Sequence, residues 1–279
     1  MSMRTVTIAR KEVVDSVRSR ALWSIVALVA AVTSLAVGAL QFVPGVETDV
    51  FAGIGGATEF AGILVPICSL VAAYLAIAGE RESGSVKVLL GFPPSRREVL
   101  AGKFLGRSAV VVLGLVAGYA VSGVVALLAF GTLPVVAFAL TMALTAVLGV
   151  VFVAIAVGIS ASCATRSRAM TISVAAYLAL TLFWDIVPQG LYMLVQGGPP
   201  SGQVPGWFVL VQSLSPSGAY GSLVTVVLSG AAGTPGLGAL VAGPAPVYLE
   251  PWFLLGLLVV WTVVPLAVGY RRFERADLS

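Results

Sequence analysis

The charged residues able to do chemistry in this chain are concentrated in one stretch. From Gly79 to Lys103 it reads GERESGSVKVLLGFPPSRREVLAGK and holds Arg81, Lys87, Arg96, Arg97 and Lys103, five of the sixteen Lys and Arg residues. Acids and bases mixed at this density suit ion pairing and the orientation of a partner rather than bond making. Histidine is absent, which removes the commonest general base and the commonest metal ligand. No GxSxG occurs, and no span carries paired carboxylates. No phosphate loop of the form GxxxxGK[ST] is present, so any ATP used is bound by another chain. Cys68 and Cys163 both lie in apolar runs and read as small core residues. The chain is therefore not expected to be an enzyme, and no metal, cofactor or nucleic-acid partner is expected.

The elements that position this stretch are written into it. Pro93 and Pro94 stop any preceding helix, because proline lacks an amide hydrogen and its ring crowds the turn before it. Ser95 stands three residues before Glu98, the spacing of a capping box, so a new helix is predicted from Arg96. Upstream, Val86, Leu89 and Leu90 recur at helical spacing within Glu82 to Leu90. The pattern predicts a short amphipathic helix, a hard break, and a helix entering the next apolar run.

Composition places the whole in a membrane. Of the 279 residues, 59% are hydrophobic and 10% charged, against about 25% charged in soluble domains. Crossing a bilayer takes roughly 20 apolar residues. Six such spans are predicted over 22–43, 60–78, 104–130, 135–163, 169–187 and 252–270. The first is too long for a cleavable signal peptide. Residues 3–20 carry Arg4, Arg10, Lys11, Arg18 and Arg20, with Val6, Ala9, Val13 and Val17 at helical intervals, and read as an interfacial amphipathic helix. The fold class is all-α, and the chain forms a single membrane domain. The segment 80–103 links spans 2 and 3, and 189–250 links spans 5 and 6 as an outer loop with one or two short helices. In that loop Ser215 and Pro216 form an N-cap and first helical residue.

With six spans, all sixteen Lys and Arg fall on one side, together with seven of the twelve acids. Glu47, Asp49, Glu59, Asp185 and Glu250 fall on the other. Lys and Arg mark the cytoplasmic face, so both termini are predicted to be cytoplasmic. Glu59 reads as the N-terminal acid of span 2, after a loop over 44–58. Asp185, beside Trp184, reads as a headgroup-level acid. GxxxG at Gly102–Gly106 and at Gly114–Gly118 allows close helix approach.

The run from Val65 to Arg107, VPICSLVAAYLAIAGERESGSVKVLLGFPPSRREVLAGKFLGR, resembles the signature region of ABC-2 type transporter permeases. An apolar span ends in Glu80, Arg81 and Glu82; Gly84, Ser85, Leu89, Leu90, Pro93, Ser95 and Arg96 follow; Gly102 and Lys103 open the next span. ARKEVVDSVRSRALW near the N-terminus, LSPSGAY at Leu214–Tyr220 and the tail YRRFERADL are similar to the same family. The closest subgroup resembles the permease of the nitrous-oxide-reductase copper-site maturation system. Some of its members carry an acid where this chain has Leu75, so that system's substrate is not transferred.

The resemblance implies a six-span permease subunit of the plasma membrane, an exporter, that forms a homodimer and binds a separate ABC ATPase subunit. ATP and magnesium would be held by that ATPase. Docking would fall on a coupling helix, with Glu80, Arg81, Glu82, Gly84, Ser85, Val86, Leu89, Leu90, Pro93, Ser95, Arg96 and Arg97 as its residues. Two other functions remain open on residue chemistry: a membrane-embedded lipid-modifying enzyme, and a membrane anchor that transports nothing.

Overall fold

The computed structural model describes residues 3–17, 20–39, 49–83 and 95–276. In chain order these form α1 (Met3–Val17), α2 (Arg20–Ala39), α3 (Val50–Ala73), α4 (Ala78–Glu82), α5 (Arg96–Phe130), α6 (Val135–Ser162) and α7 (Arg166–Tyr177). A π-helical turn (Leu178–Leu182) continues α7, and α8 (Ile186–Gln196), α9 (Gly206–Ser213), α10 (Pro216–Ala232) and α11 (Pro251–Glu274) complete the set. Among the described residues no strand forms, and the single bridge of strand type joins Val204 to Val241. Helices suit an apolar solvent because they satisfy their backbone polar groups internally.

Among the described residues four helical stretches are long and apolar enough to cross a membrane: Val50–Glu82, Arg96–Phe130, Val135–Ser162 and Pro251–Glu274. Arg166–Leu182 and Ile186–Gln196 make a fifth if the pair, bent by 46°, is one span. The protein is thus a multi-pass membrane protein. α2 contributes a shorter apolar stretch, Ala27–Gly38, packed along α3 and α5.

α6 is the axis of the bundle. Leu148, Val151, Phe152, Ala154, Ala156 and Val157 on it are fully buried. A helix apolar on all sides is covered by protein or by lipid, and α3, α5, α10 and α11 pack around its buried part. The tightest crossing is with α11, where a Cβ on Gly158 would sit 2.3 Å from the Pro265 carbonyl oxygen. Outward-facing Val259, Val260, Val263 and Val264 of α11 are exposed, as lipid-facing residues are.

Several boundaries differ from the sequence reading. α3 begins at Val50 rather than at 60, because Asp49 caps it by accepting a hydrogen bond from the Ala52 amide at 2.8 Å. The run of glycines and alanines after Asp49 reads as a loop by composition, yet packs as helix: Gly53 lets Phe130 and the Val37 carbonyl approach. Glu59 therefore stands within the helix rather than ahead of it. At the other end α3 stops at Ala73 and a turn over 74–77 precedes α4. The Ser160 hydroxyl of α6 accepts from the amides of Ile77 and Ala78, both at 3.0 Å, and so supplies from another helix the cap that Ile77 lacks.

Span 5 is not one straight helix. The π turn delivers the Phe183 amide to the Leu178 carbonyl at 2.8 Å, the chain bends, and α8 continues to Gln196. The long connection therefore starts at Gly197, a left-handed C-cap residue, rather than at Gln189. Within it Ser215 caps α10 through the Gly218 amide at 2.9 Å, and Pro216 takes the first turn. α10 enters the bundle against α3, α6 and α11. Its Tyr220 hydroxyl lies 3.0 Å from the Thr145 hydroxyl, which lies 2.7 Å from that of Tyr119. The same Tyr220 donates to the Thr58 carbonyl at 3.2 Å.

Candidate functional site

Gly84, Ser85, Val86, Leu89, Leu90 and Pro93 lie outside the described residues. The chain on both sides of them is described, and it is fastened to the bundle at each end.

On the entry side, Glu80 of α4 pairs with Lys103 of α5 at 2.6 Å. Lys103 also pairs with Glu12 of α1 at 2.8 Å and is only 3% exposed. An ammonium buried this deeply needs anionic partners to offset its desolvation. Glu12 further pairs with Arg107 at 2.8 Å, and Arg107 donates to the Ala72 carbonyl at 3.0 Å. Two cations of α5 thus meet two acids from α1 and α4, and α3's carbonyl closes the cluster. Next in sequence, Arg81 donates to the Cys163 carbonyl at 3.0 Å. A Glu82 carboxylate oxygen accepts from the Arg166 amide at 2.5 Å, where the positive end of α7 favours an anion.

The exit side begins with Ser95. Its hydroxyl accepts from the Glu98 amide at 3.3 Å while Glu98 accepts from the Ser95 amide at 2.9 Å, so the predicted capping box is complete. Arg96 reaches across to the end of α11. Its guanidinium donates to the carbonyls of Phe273, Glu274 (2.8 Å) and Ala276 (2.9 Å), and lies 5.5 Å from the Phe273 ring centroid. Carbonyls at a helix C-terminus lack intrahelical donors, and a cation there is doubly favoured. Arg97 is exposed.

Glu80, Arg81, Glu82, Ser95 and Arg96 are therefore brought to one end of the bundle, where each binds the protein's own frame. Sequence reasoning missed Glu12 and Arg107, which complete the ion-pair cluster around Lys103, Ser160, which caps the turn before α4, and Phe273, which Arg96 binds. A signal for the first did exist. α1 lies in the groove of the Gly102–Gly106 pair: a Cβ at Gly102 would come within 2.7 Å of Ile8, and one at Gly106 within 2.5 Å of Glu12. The small-residue pair marks where α1 docks on α5, and Glu12 is carried in with it.

Among the described residues, no group of three or more His, Cys, Asp or Glu is placed to hold a metal ion. The arrangement instead gives mechanical linkage. α5 spans 35 residues, about 50 Å at 1.5 Å per residue. The hydrocarbon core is about 30 Å thick. The helix is therefore longer than that core is thick, and its charged residues, Arg96, Arg97, Glu98, Lys103 and Arg107, all lie in its first turns beside the fastened segment.

Similarity to known proteins agrees with this geometry. Residues 6–278 match the family described as ABC-2 family transporter protein. The chain is 31% identical over 286 residues to a probable ABC transporter permease protein, NosY, of Pseudomonas aeruginosa, covering 98% of each chain. It is also 31% identical over 282 residues to the protein of the same description from Stutzerimonas stutzeri, covering 96% of this chain and 97% of that one. A helical membrane bundle with ion-paired helices at one end, matched over almost its whole length, belongs to the ABC-2 family of transporter proteins.

Proposed function

We propose that this protein is the membrane-spanning permease subunit of an ATP-binding cassette exporter, driven by a separate ATPase subunit that docks on the 80–103 segment. The observation that carries this reading is the fastening of the chain on both sides of residues 84–94. Entry is tied to α1, α5, α6 and α7 through Glu80, Arg81 and Glu82, and exit to α11 through Arg96. A displacement that reaches either flank is delivered to the bundle. Leu89 and Leu90 would supply the apolar contact with the ATPase, and the surrounding charges would steer docking. ATP and magnesium belong to the partner in this reading, and the permease itself catalyses nothing.

Six crossings are proposed: α2, α3 with α4, α5, α6, α7 with α8, and α11, within one membrane domain. Their number gathers all sixteen basic residues on one side, which the Lys/Arg bias makes cytoplasmic together with both termini, in the plasma membrane. One such chain offers half of a two-fold path, and closed small assemblies are symmetric, so a homodimer with two ATPase subunits is the proposed unit. A lipid-modifying enzyme finds no acid–base set, and a mere anchor has no need of a segment whose two flanks are both fastened to the bundle. The test is co-purification of the tagged chain with an ABC ATPase, followed by mass measurement in nanodiscs. A two-plus-two complex whose ATPase rate depends on the permease is expected. A monomeric permease with no associated ATPase contradicts the reading.

A further inference from the structure

A large cavity among the described residues lies at the other end of the bundle from the fastened segment. It measures about 1000 Å³ and is walled by α3, the π turn with the bend after it, α9 and α10. That volume is at the upper end of ordinary ligand pockets. Its wall is amphipathic. Phe60, Trp184 and Phe208 provide aromatic surface, and Gln212 and Ser217 provide polar groups. Glu59 and Asp185 also line it. Among the described residues neither acid makes an ion pair. No Lys or Arg occurs in sequence between Arg20 and Arg81 or between Arg168 and Arg271, so every segment of the wall is free of cations.

The geometry points to a binding site for an amphiphile with one positively charged head. Two carboxylates on an uncompensated wall create a negative potential that a concave, low-dielectric surface concentrates. Aromatic faces beside them attract an organic cation and exclude an anion. The apolar part of the wall takes the ligand's hydrocarbon. Trp184 is fixed for this role, since its indole donates to the Val211 carbonyl at 3.0 Å and holds the bend against α9. Thr181 and Ser217 link the π turn to α10 with their hydroxyls 3.2 Å apart, so the wall is braced on both sides. An acid at the end of a span with no partner reads as a headgroup-level residue by sequence alone. Only the bend, which brings Asp185 into the same cavity as Glu59, gives it a second reading. The inference rests on the permease reading only in calling such a ligand a substrate.

The test uses the full-length permease in nanodiscs without any ATPase, with radiolabelled tetraphenylphosphonium as the probe. Saturable binding is expected, weakened tenfold or more in Glu59→Gln and in Asp185→Asn, and more in the double variant. The neutral triphenylphosphine oxide should not compete. Both acids are exposed, so the variants should keep the wild-type melting temperature, which is measured alongside. A lipid ammonium headgroup offers the same chemistry. Comparing phosphatidylglycerol discs with discs containing phosphatidylethanolamine separates the two sources, since only a lipid occupant displaces the probe in the second. Absence of saturable binding, unchanged affinity in the double variant, or equal competition by the neutral analogue each overturns the proposal. None of these bears on ATPase docking, so the two readings fail separately.

Discussion

The Lys103 ammonium lies 2.6 Å from a carboxylate oxygen of Glu80, and this contact joins the first turns of α5 to α4, the short helix before residues 84–94. Twenty-three residues separate the two in sequence. The same ammonium holds Glu12, so one buried cation fastens α1, α4 and α5 together.

Replacing that cation should therefore loosen three helices at once. Removing one partner of a buried pair costs about 3–5 kcal/mol. Glu80 is 33% exposed, and solvent offsets part of the loss. Lys103→Met is expected to fall near the low end, about 3 kcal/mol, read as a lowered melting temperature in detergent. Adding Glu12→Gln to it should cost less than Glu12→Gln alone, because the Lys103 contact of Glu12 is already gone and only its pair with Arg107 remains to be lost. If the double variant is less stable than Lys103→Met by the full cost of Glu12→Gln alone, the pair is not coupled.

The groove on α5 gives a second expectation. A methyl group at Gly106 would overlap Glu12 and crowd the Ala9 carbonyl at 3.1 Å. Gly106→Ala should push α1 outward and destabilise by about 1–3 kcal/mol, the usual cost of overpacking. Gly256→Ala on α11 is the control, since a Cβ there meets nothing within 4 Å. Equal melting temperatures for the two variants would contradict the packing of α1 on α5.

Ser160→Ala removes the acceptor for two buried amides. An unsatisfied buried donor costs about 1–3 kcal/mol. Hydrogen exchange at Ile77 and Ala78 should accelerate in this variant while exchange in the middle of α6 stays slow. Unchanged protection at both amides would show that the turn before α4 is held by something else.

Orientation is tested with single cysteines at Ser2, Ser201 and Ser279. Both native cysteines, Cys68 and Cys163, are buried, so background labelling should be low. Only the position-201 variant should react with an impermeant thiol reagent applied to intact cells. Labelling at position 2 or 279 from outside reverses the proposed topology.

What was legible in the sequence was local. The Ser95–Glu98 capping box and the Ser215 cap with Pro216 act within a few residues, and each stands where its pattern put it, while the long apolar runs form helices with shifted boundaries. Features made by partners distant in sequence were not legible. The early start of α3 depends on Asp49 and on Phe130 packing beside Gly53. The turn before α4 depends on Ser160, 83 residues away. Arg96 reads as a partner-facing charge until the end of α11, 177 residues on, is brought beside it. The bend of α7 and α8 has no proline at its centre: Pro188 follows it by three residues, and the π turn that produces it carries no pattern in LALTL.

The central claim is that the 80–103 segment docks an ATPase. Leu89 and Leu90 cannot both face lipid if the segment projects from the membrane, so a protein groove must cover at least one. Burying a leucine stabilises by roughly 1.5–3 kcal/mol, and an aspartate there adds the cost of a buried charge. The direct measurement is the affinity of the purified ATPase for the permease carrying Leu89→Asp or Leu90→Asp. A weakening of about tenfold or more is expected, since each 1.4 kcal/mol is a factor of ten, while insertion and folding stay intact. Pro93→Ala should leave that affinity nearly unchanged yet lower transport per ATP hydrolysed, because it softens the joint before α5. Wild-type affinity and wild-type transport in both aspartate variants would contradict the docking assignment.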